Sequence, residues 1–277
     1  MLKKIDLSKF QNDIILWKGK GSEEDIKPST SPFIATGVDL NPYICKLYTD
    51  EIGNLPIINE YICYLLAKEF KLPLEEAILV NITDEVLTNS SELQSRDIKS
   101  NLGFALKWNK KANANVRQPA FERCTNINII PMLLYFDQLI LNQDRALNDG
   151  NLLFDSKQNK LVVIDHSHVF DLGEVWNVSS LNQVKDKWLV DNFDEKYYNM
   201  LRLYVDGNSP FNETIRLANQ LTHNRIIEIV NSVPAEWEFE DSKKDALIEF
   251  LCYRNDHVDD IIQAIKPFCL NWKGGIN

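Results

Sequence analysis

Short apolar segments separated by polar turns predict that the first hundred residues combine β-strands with one helix. Residues 33–36 and 43–48 are apolar and flank residues 37–42, a turn-rich connection typical of a β-hairpin. Apolar side chains recur at helical spacing over residues 59–70, which predicts a helix capped by Asn59. Further strands are predicted at residues 13–18 and 77–82.

The second half of the chain has a different pattern. Residues 127–141 form a long apolar stretch that predicts a buried helix, and two short strands follow at residues 151–154 and 161–164. Amphipathic helices are predicted beyond residue 173, at residues 195–204, 213–221, 224–230, 243–253 and 258–265.

These elements predict an α+β protein with a two-lobed, protein-kinase-like organisation. A small mixed α/β lobe spans residues 1–105, a polar and basic connection spans 106–125, and a mostly helical lobe spans 126–277. The second lobe contains the loops that carry the candidate catalytic and metal-binding residues. The length of 277 residues is sufficient to bury a substantial core.

Charge and cysteine content narrow the function classes. The net charge of -10 disfavours long-range attraction to nucleic acid or to an anionic membrane. The five scattered cysteines contain no C-x-x-C pair, which indicates neither a disulfide framework nor a zinc knuckle. No apolar stretch approaches the ~20 residues that a membrane-spanning helix needs. We therefore expect a cytoplasmic protein without nucleic-acid or membrane partners.

One stretch carries the candidate chemistry. Residues 142–151, with the sequence Asn-Gln-Asp-Arg-Ala-Leu-Asn-Asp-Gly-Asn, join the apolar helix to the two short strands, after which Asp165 follows. Phosphoryl transfer needs a carboxylate near the attacking hydroxyl and oxygen ligands that hold Mg²⁺ against the nucleotide phosphates. Asp144 and Asp165 fit these two roles. Taken singly, each is also explained by a surface turn or a strand end, but their ordered combination favours kinase-like chemistry.

A lysine and a glutamate upstream fit the nucleotide-binding part of such a site. Lys46 lies in an apolar strand, from which it can reach the phosphates of ATP, and Glu60 near the start of the next helix can pair with it. The alternatives are an edge-strand lysine that extends to solvent and a first-turn glutamate favoured by the helix dipole. Either the polar loop at residues 19–31 or the hairpin around Gly37 can supply phosphate-binding amides.

Together these residues resemble the HipA-like kinase family, a group distantly related to phosphatidylinositol 3- and 4-kinases, and the resemblance is closest to its short members. It implies binding of ATP and Mg²⁺, with Asp144 as the catalytic aspartate, Asp165 and Asn151 as metal ligands and Lys46 as the phosphate-contacting lysine. The matching motifs are Ile44-Cys45-Lys46, Asn59-Glu60, the segment from Phe136 to Arg145, Gly150-Asn151-Leu152-Leu153-Phe154 and the segment from Val163 to Phe170.

The same resemblance suggests the partners. Longer relatives phosphorylate protein serine or threonine, in some cases as toxins paired with an antitoxin. We therefore expect a protein phospho-acceptor, with a small-molecule acceptor as the alternative and an antitoxin-like protein as a further candidate partner.

The catalytic loop departs from the family pattern. The metal-binding asparagine of these families follows the catalytic aspartate by five positions, whereas Asn151 follows Asp144 by seven and Asn148 by four. We favour Asn151 after a two-residue insertion and keep Asn148 as the alternative metal ligand. The lengthened loop also recommends a second hypothesis, a pseudokinase that binds nucleotide without turnover. A weaker third hypothesis is an acidic helical interaction protein.

Overall fold

The structure is a computed structural model that describes residues 2–13, 17–18, 25–26, 28–114, 116–146 and 149–275. Its strands are β1 (Lys4–Asp13), β2 (Trp17–Lys18), β3 (Asp25–Ile26), β4 (Phe33–Gly37), β5 (Pro42–Lys46), β6 (Ala77–Asn81), β7 (Leu102–Lys107), β8 (Ala112–Asn113), β9 (Leu152–Asp155) and β10 (Lys160–Val163). Its α-helices are α1 (Leu55–Glu69), α2 (Asp84–Thr88), α3 (Ser91–Gln94), α4 (Gln118–Arg123), α5 (Ile130–Leu139), α6 (Val178–Val184), α7 (Lys196–Arg202), α8 (Asn212–Gln220), α9 (His223–Asn231), α10 (Asp241–Asp256) and α11 (Val258–Ile265).

Five strands of the N-terminal part close into a barrel in the order β1-β4-β5-β7-β6. Strand β1 closes it, because it pairs antiparallel with β4 on one side and parallel with β6 on the other. A separate hydrophobic core lies among these strands and includes Leu7, Phe33, Cys45 and Val80. Closure leaves no barrel strand with an unpaired edge.

The predicted hairpin between β4 and β5 is confirmed, with Phe33 opposite Cys45 and Thr36 opposite Pro42. The predicted strand at residues 13–18 is not found as such: β1 ends at Asp13, and residues 14–16 lie outside the described part. Most of the polar loop at residues 19–31 also lies outside it.

Helix α1 begins four residues earlier than the sequence pattern predicts. It starts at Leu55 after the N-cap residue Asn54, with a proline in its first turn. The prediction that Asn59 caps this helix is therefore wrong, and so is the first-turn explanation for Glu60. Both side chains lie in the helix interior and are buried, which requires partners elsewhere in the fold.

Helix α5 is at the centre of a second and larger core. All ten of its residues are buried, so no amphipathic face is left. The predicted helix at residues 127–141 is found as a 3₁₀ turn, Ile127–Ile129, followed by α5. The five predicted C-terminal helices correspond to α7 through α11 and surround this core, which also includes side chains of α1.

Three further observations complete the fold. The strands β9 and β10 form the predicted second hairpin, with Leu152 opposite Val163. All five cysteines are free thiols. Within the described ranges, no helix is both long and apolar enough to span a membrane.

Candidate active site

Strand β5 ends at Lys46, which lies close to two carboxylates. The Lys46 ammonium donates hydrogen bonds to Glu60 on α1 and, over 2.9 Å, to Oδ1 of Asp165. The lysine side chain is only 11% exposed, so it does not extend to solvent as an edge-strand lysine would. The structure therefore brings together Lys46, Glu60 and Asp165 as a buried charged cluster.

The second hairpin brings Asn151 beside Asp165. Strands β9 and β10 pair at Leu152 and Val163, and one step further the Ile164 amide donates to the Asn151 carbonyl over 3.1 Å. Asn151 and Asp165 both have positive φ, 43° and 56°, a conformation that asparagine and aspartate tolerate better than most residues. The segment before β9 and the segment after β10 thus turn away from the hairpin at the same end.

Asp144 completes the site from the loop that follows α5. Its Oδ2 accepts a hydrogen bond of 2.8 Å from the Asn151 side-chain amide. Burial and the nearby negative charge of Asp165 raise the pKa of Asp144. The two-residue excess in loop length therefore does not separate Asn151 from Asp144. Asn148, the alternative metal ligand, lies outside the described residues.

The two carboxylates of the cluster differ in pKa. Burial alone would raise the pKa of Asp165, but the Lys46 ammonium and a 2.7 Å hydrogen bond from the Ser167 hydroxyl hold it well below its usual range. Burial raises the pKa of Glu60, and Lys46 offsets only part of this effect. The two carboxylates together raise the pKa of Lys46 despite its burial. Of the two carboxylates that hold Lys46, Asp165 is therefore more readily ionised than Glu60.

Asn59 is a site residue that the sequence pattern misassigned to a cap. Its side-chain amide donates to the carbonyls of Ser167 (2.8 Å) and Gly173 (3.1 Å) and accepts a hydrogen bond from the Trp176 indole (3.0 Å). Helix α1 thus holds Lys46 through Glu60 and the segment after Asp165 through Asn59. The adjacent pair Asn59-Glu60 was the available signal, but only the fold reveals the partners of the asparagine.

The histidines after Asp165 have different environments. His166 is buried, packs edge-on against Phe136 and has no described partner for its Nε2. Burial and the positive charge of Arg145 lower the pKa of His166 to about 3, so the ring is neutral. His168 lies 3.0 Å from Glu174. In the described part of the chain, no group of three or more His, Cys, Asp or Glu side chains is arranged to hold a metal by itself.

The register of β4 and β5 distinguishes the two candidate phosphate loops. The hairpin around Gly37 joins the start of β5, and Lys46 is at its other end, about 13 Å away at ~3.3 Å per residue. The segment before β4 lies near the lysine end of β5, because Phe33 is opposite Cys45. In that segment the Ser29 hydroxyl is 3.5 Å from Nε2 of His168, three residues after Asp165. The described end of the polar loop is therefore close to the charged cluster, and the Gly37 hairpin is not.

The candidate site thus consists of a lysine held by two carboxylates, a second aspartate and an asparagine at the end of a β-hairpin. The chain belongs to the HipA-like kinase family, whose sequence pattern matches residues 23–265. No curated protein sequence matches it significantly.

A solved kinase structure shares the fold of this chain. The Helicobacter pylori proinflammatory kinase CtkA superposes with a TM-score of 0.58 at 13% sequence identity, covering 95% of this chain and 99% of CtkA. The Golgi casein kinase gives a TM-score of 0.41 at 8% identity over 95% of this chain and 72% of its own. Its Mn/ADP-bound form gives 0.42 at 9% identity over 95% and 74%.

Proposed function

We propose that this protein is an ATP- and Mg²⁺-dependent phosphotransferase that phosphorylates serine or threonine hydroxyls on a protein. The observation that supports this function is the meeting of Lys46, Asp144, Asn151 and Asp165 at one place, although they come from distant parts of the chain. Membership of the HipA-like kinase family supports it as well. In this proposal, ATP binds between an N-terminal lobe (1–105) and a helical lobe (126–277).

The oxygen donors fit a divalent cation such as Mg²⁺. The Asn151 amide nitrogen is used by Asp144, which leaves the amide oxygen for a cation, and Asp165 supplies a carboxylate that stays ionised. Mg²⁺ is usually held by one or two carboxylates, with nucleotide phosphates and water as its other ligands, so a complete protein cage is not needed. When bound, Mg²⁺ would neutralise charge on the phosphates.

Each side chain has one role in this proposal. Lys46, oriented by Glu60, donates to phosphate oxygens and positions the nucleotide. The acceptor oxygen forms a bond to the γ-phosphorus while the bond from that phosphorus to the bridging oxygen breaks, and ADP leaves. Asp144 takes the proton of the acceptor hydroxyl. Its raised pKa makes it a stronger base than an ordinary aspartate.

Exposed apolar side chains beside the catalytic loop favour a protein acceptor. Gln143, next to Asp144, donates to the Asp171 carboxylate over 2.9 Å. This hydrogen bond holds the segment that begins at Asp171 against the loop that contains Asp144. That segment exposes Leu172 (47%), Val175 (71%) and Val178 (37%). Clustered exposed apolar residues indicate a protein-binding surface better than a site for a small polar acceptor.

The pseudokinase hypothesis loses its main support here. It was motivated by the lengthened loop, yet Asn151 lies within hydrogen-bonding distance of Asp144. A small-molecule kinase would use the same residues without the exposed apolar segment.

Thermal unfolding and phosphate transfer test the proposal together. ATP with Mg²⁺ at 100 times the dissociation constant should stabilise the wild type by about 2.7 kcal/mol. Asp165→Ala should lose this shift, whereas Asp191→Ala, which removes an exposed carboxylate, should keep it. Asp144→Ala should bind ATP but transfer no labelled γ-phosphate to protein acceptors. Full transfer by Asp144→Ala would refute its role, and binding without any turnover by the wild type would establish the pseudokinase.

A further inference from the structure

A fully buried ion pair lies beneath the catalytic loop. Asp137 on α5 and Arg145 are both 0% exposed. Arg145 binds the carboxylate through two parallel hydrogen bonds, Nε to Oδ2 at 2.7 Å and Nη2 to Oδ1 at 2.9 Å. The side-chain amide of Asn142 donates to the same carboxylate over 3.0 Å. The pair is thus fixed to the most buried helix of the larger core.

The third nitrogen of the Arg145 guanidinium reaches the far end of the loop. Its Nη1 donates to the carbonyl of Gly150 over 2.7 Å and to the carbonyl of Asn151 over 2.8 Å. At the near end, the Asn142 side-chain oxygen accepts from the backbone amides of Asp144 (3.1 Å) and Arg145 (3.3 Å). Both ends of the loop are therefore tied to the single carboxylate of Asp137.

This arrangement explains how a lengthened loop keeps its two polar side chains together. The distance between Asp144 and Asn151 depends on the bonds at the loop ends and not on the number of residues between them. Only an arginine can hold a carboxylate with two nitrogens and two carbonyls with a third, because its donors form a rigid planar fork. Replacing a buried ion pair by apolar residues of similar volume is often neutral for stability, so packing alone does not require these charges.

We propose that Arg145, anchored by Asp137, is a positioning residue that sets the spacing of Asp144 and Asn151 and so prepares the metal-binding side of the site. This inference rests on the proposed function as far as the metal is concerned. Its structural part, the fixing of the Asn151 carbonyl, holds with or without a bound ligand.

The informative variant is Arg145→Lys, which keeps a positive charge beside Asp137 but loses the fork. The matched control is Arg254→Lys. Arg254 is also fully buried, and it donates to the carbonyls of Gln138 and Leu139 at the end of α5, away from Asn151. A second test variant, Asp137→Leu combined with Arg145→Met, removes both charges and leaves no unpaired buried ion.

Two measurements decide between the outcomes. The first is hydrogen exchange of the Ile164 amide in the metal-free protein, because that amide donates to the Asn151 carbonyl; the Leu161 amide, which donates to Asn126, is the internal reference. The second is binding of Mn²⁺ in the presence of ADP. Arg145→Lys and the double variant should speed exchange at Ile164 relative to Leu161 and weaken Mn²⁺ binding, each about tenfold or more, a difference of ~1.4 kcal/mol.

Unchanged Ile164 exchange in Arg145→Lys would overturn the proposal, and so would equal effects of Arg145→Lys and Arg254→Lys, since these would reflect general destabilisation. If the wild type binds no Mn²⁺ with ADP, the proposed function fails, and the exchange measurement alone then decides whether Arg145 positions the loop.

Discussion

Acidification should destabilise the protein through His166. The buried ring has a pKa of about 3, against an ordinary value of 6.5 in the unfolded chain. Between these values the unfolded chain binds a proton that the folded chain does not, so the free energy of unfolding falls as the pH decreases. At pH 5, about 1.5 pH units of the gap have been crossed. At ~1.36 kcal/mol per unit, the folded state loses about 2 kcal/mol.

The variant His166→Phe isolates this contribution. Phenylalanine preserves an aromatic contact with Phe136 and removes a buried ring nitrogen that has no partner among the described residues. Urea unfolding of both proteins, without metal or nucleotide, should be measured at pH 7.5 and pH 5. The decrease in unfolding free energy should be about 2 kcal/mol larger for the wild type, because contributions of the carboxylates cancel in the difference. Equal decreases would refute the burial of a neutral His166.

Three further substitutions test the geometry of the site. Gly150→Ala should destabilise the fold by more than the ~1–2 kcal/mol of a left-handed alanine, because its Cβ would lie 1.8 Å from the Tyr197 ring. In urea unfolding, the cost of Gly150→Ala should fall to ~1–2 kcal/mol when it is measured in a Tyr197→Ala background, and an unchanged cost would contradict the contact. Asn59→Leu should cost at least ~2 kcal/mol by the same assay, since it leaves buried hydrogen-bonding groups unpaired; a neutral effect would contradict this. Glu60→Gln should raise the KM for ATP about tenfold with a smaller change in kcat, because Lys46 loses a charge-assisted hydrogen bond. Steady-state kinetics measure both constants, and an unchanged KM would argue against the pairing of Lys46 with Glu60.

The local sequence pattern predicts an element correctly where that element is apolar and bounded by turn residues. This holds for the β4–β5 hairpin, for α5 and for α7 through α11. The prediction at residues 13–18 missed strand β1. Exposed polar and buried apolar residues alternate from Lys4 to Leu7, but no residue from Ser8 to Asp13 is buried, so most of the strand lacks an alternating pattern. Strand β7 was missed, and it contains Gly103, a residue that usually weakens a strand. Here a Cβ at Gly103 would lie 2.8 Å from the Lys46 carbonyl, so glycine permits the close approach of β5.

Only part of the candidate site is predictable from the sequence. Lys46, Asp144, Asn151 and Asp165 stand out by residue type and order, and the structure brings them together. The supporting interactions were not predictable. The hydrogen bonds of Asn59 connect residues more than a hundred positions apart. Sequence spacing reports neighbours along one element and gives no information about such partners.

The closed barrel also has a consequence for the order of folding. Strand β1 pairs with β6 at Lys4 and Leu79, and β5 pairs with β7 at Cys45 and Ala105. Such distant pairings form slowly because the chain between them must first lose conformational freedom. During synthesis, β5 therefore has no β7 beside it until residues 102–107 have been made, and Lys46 has no Asp165 to hold it until later still. Lys46 reaches its final environment only after most of the chain exists.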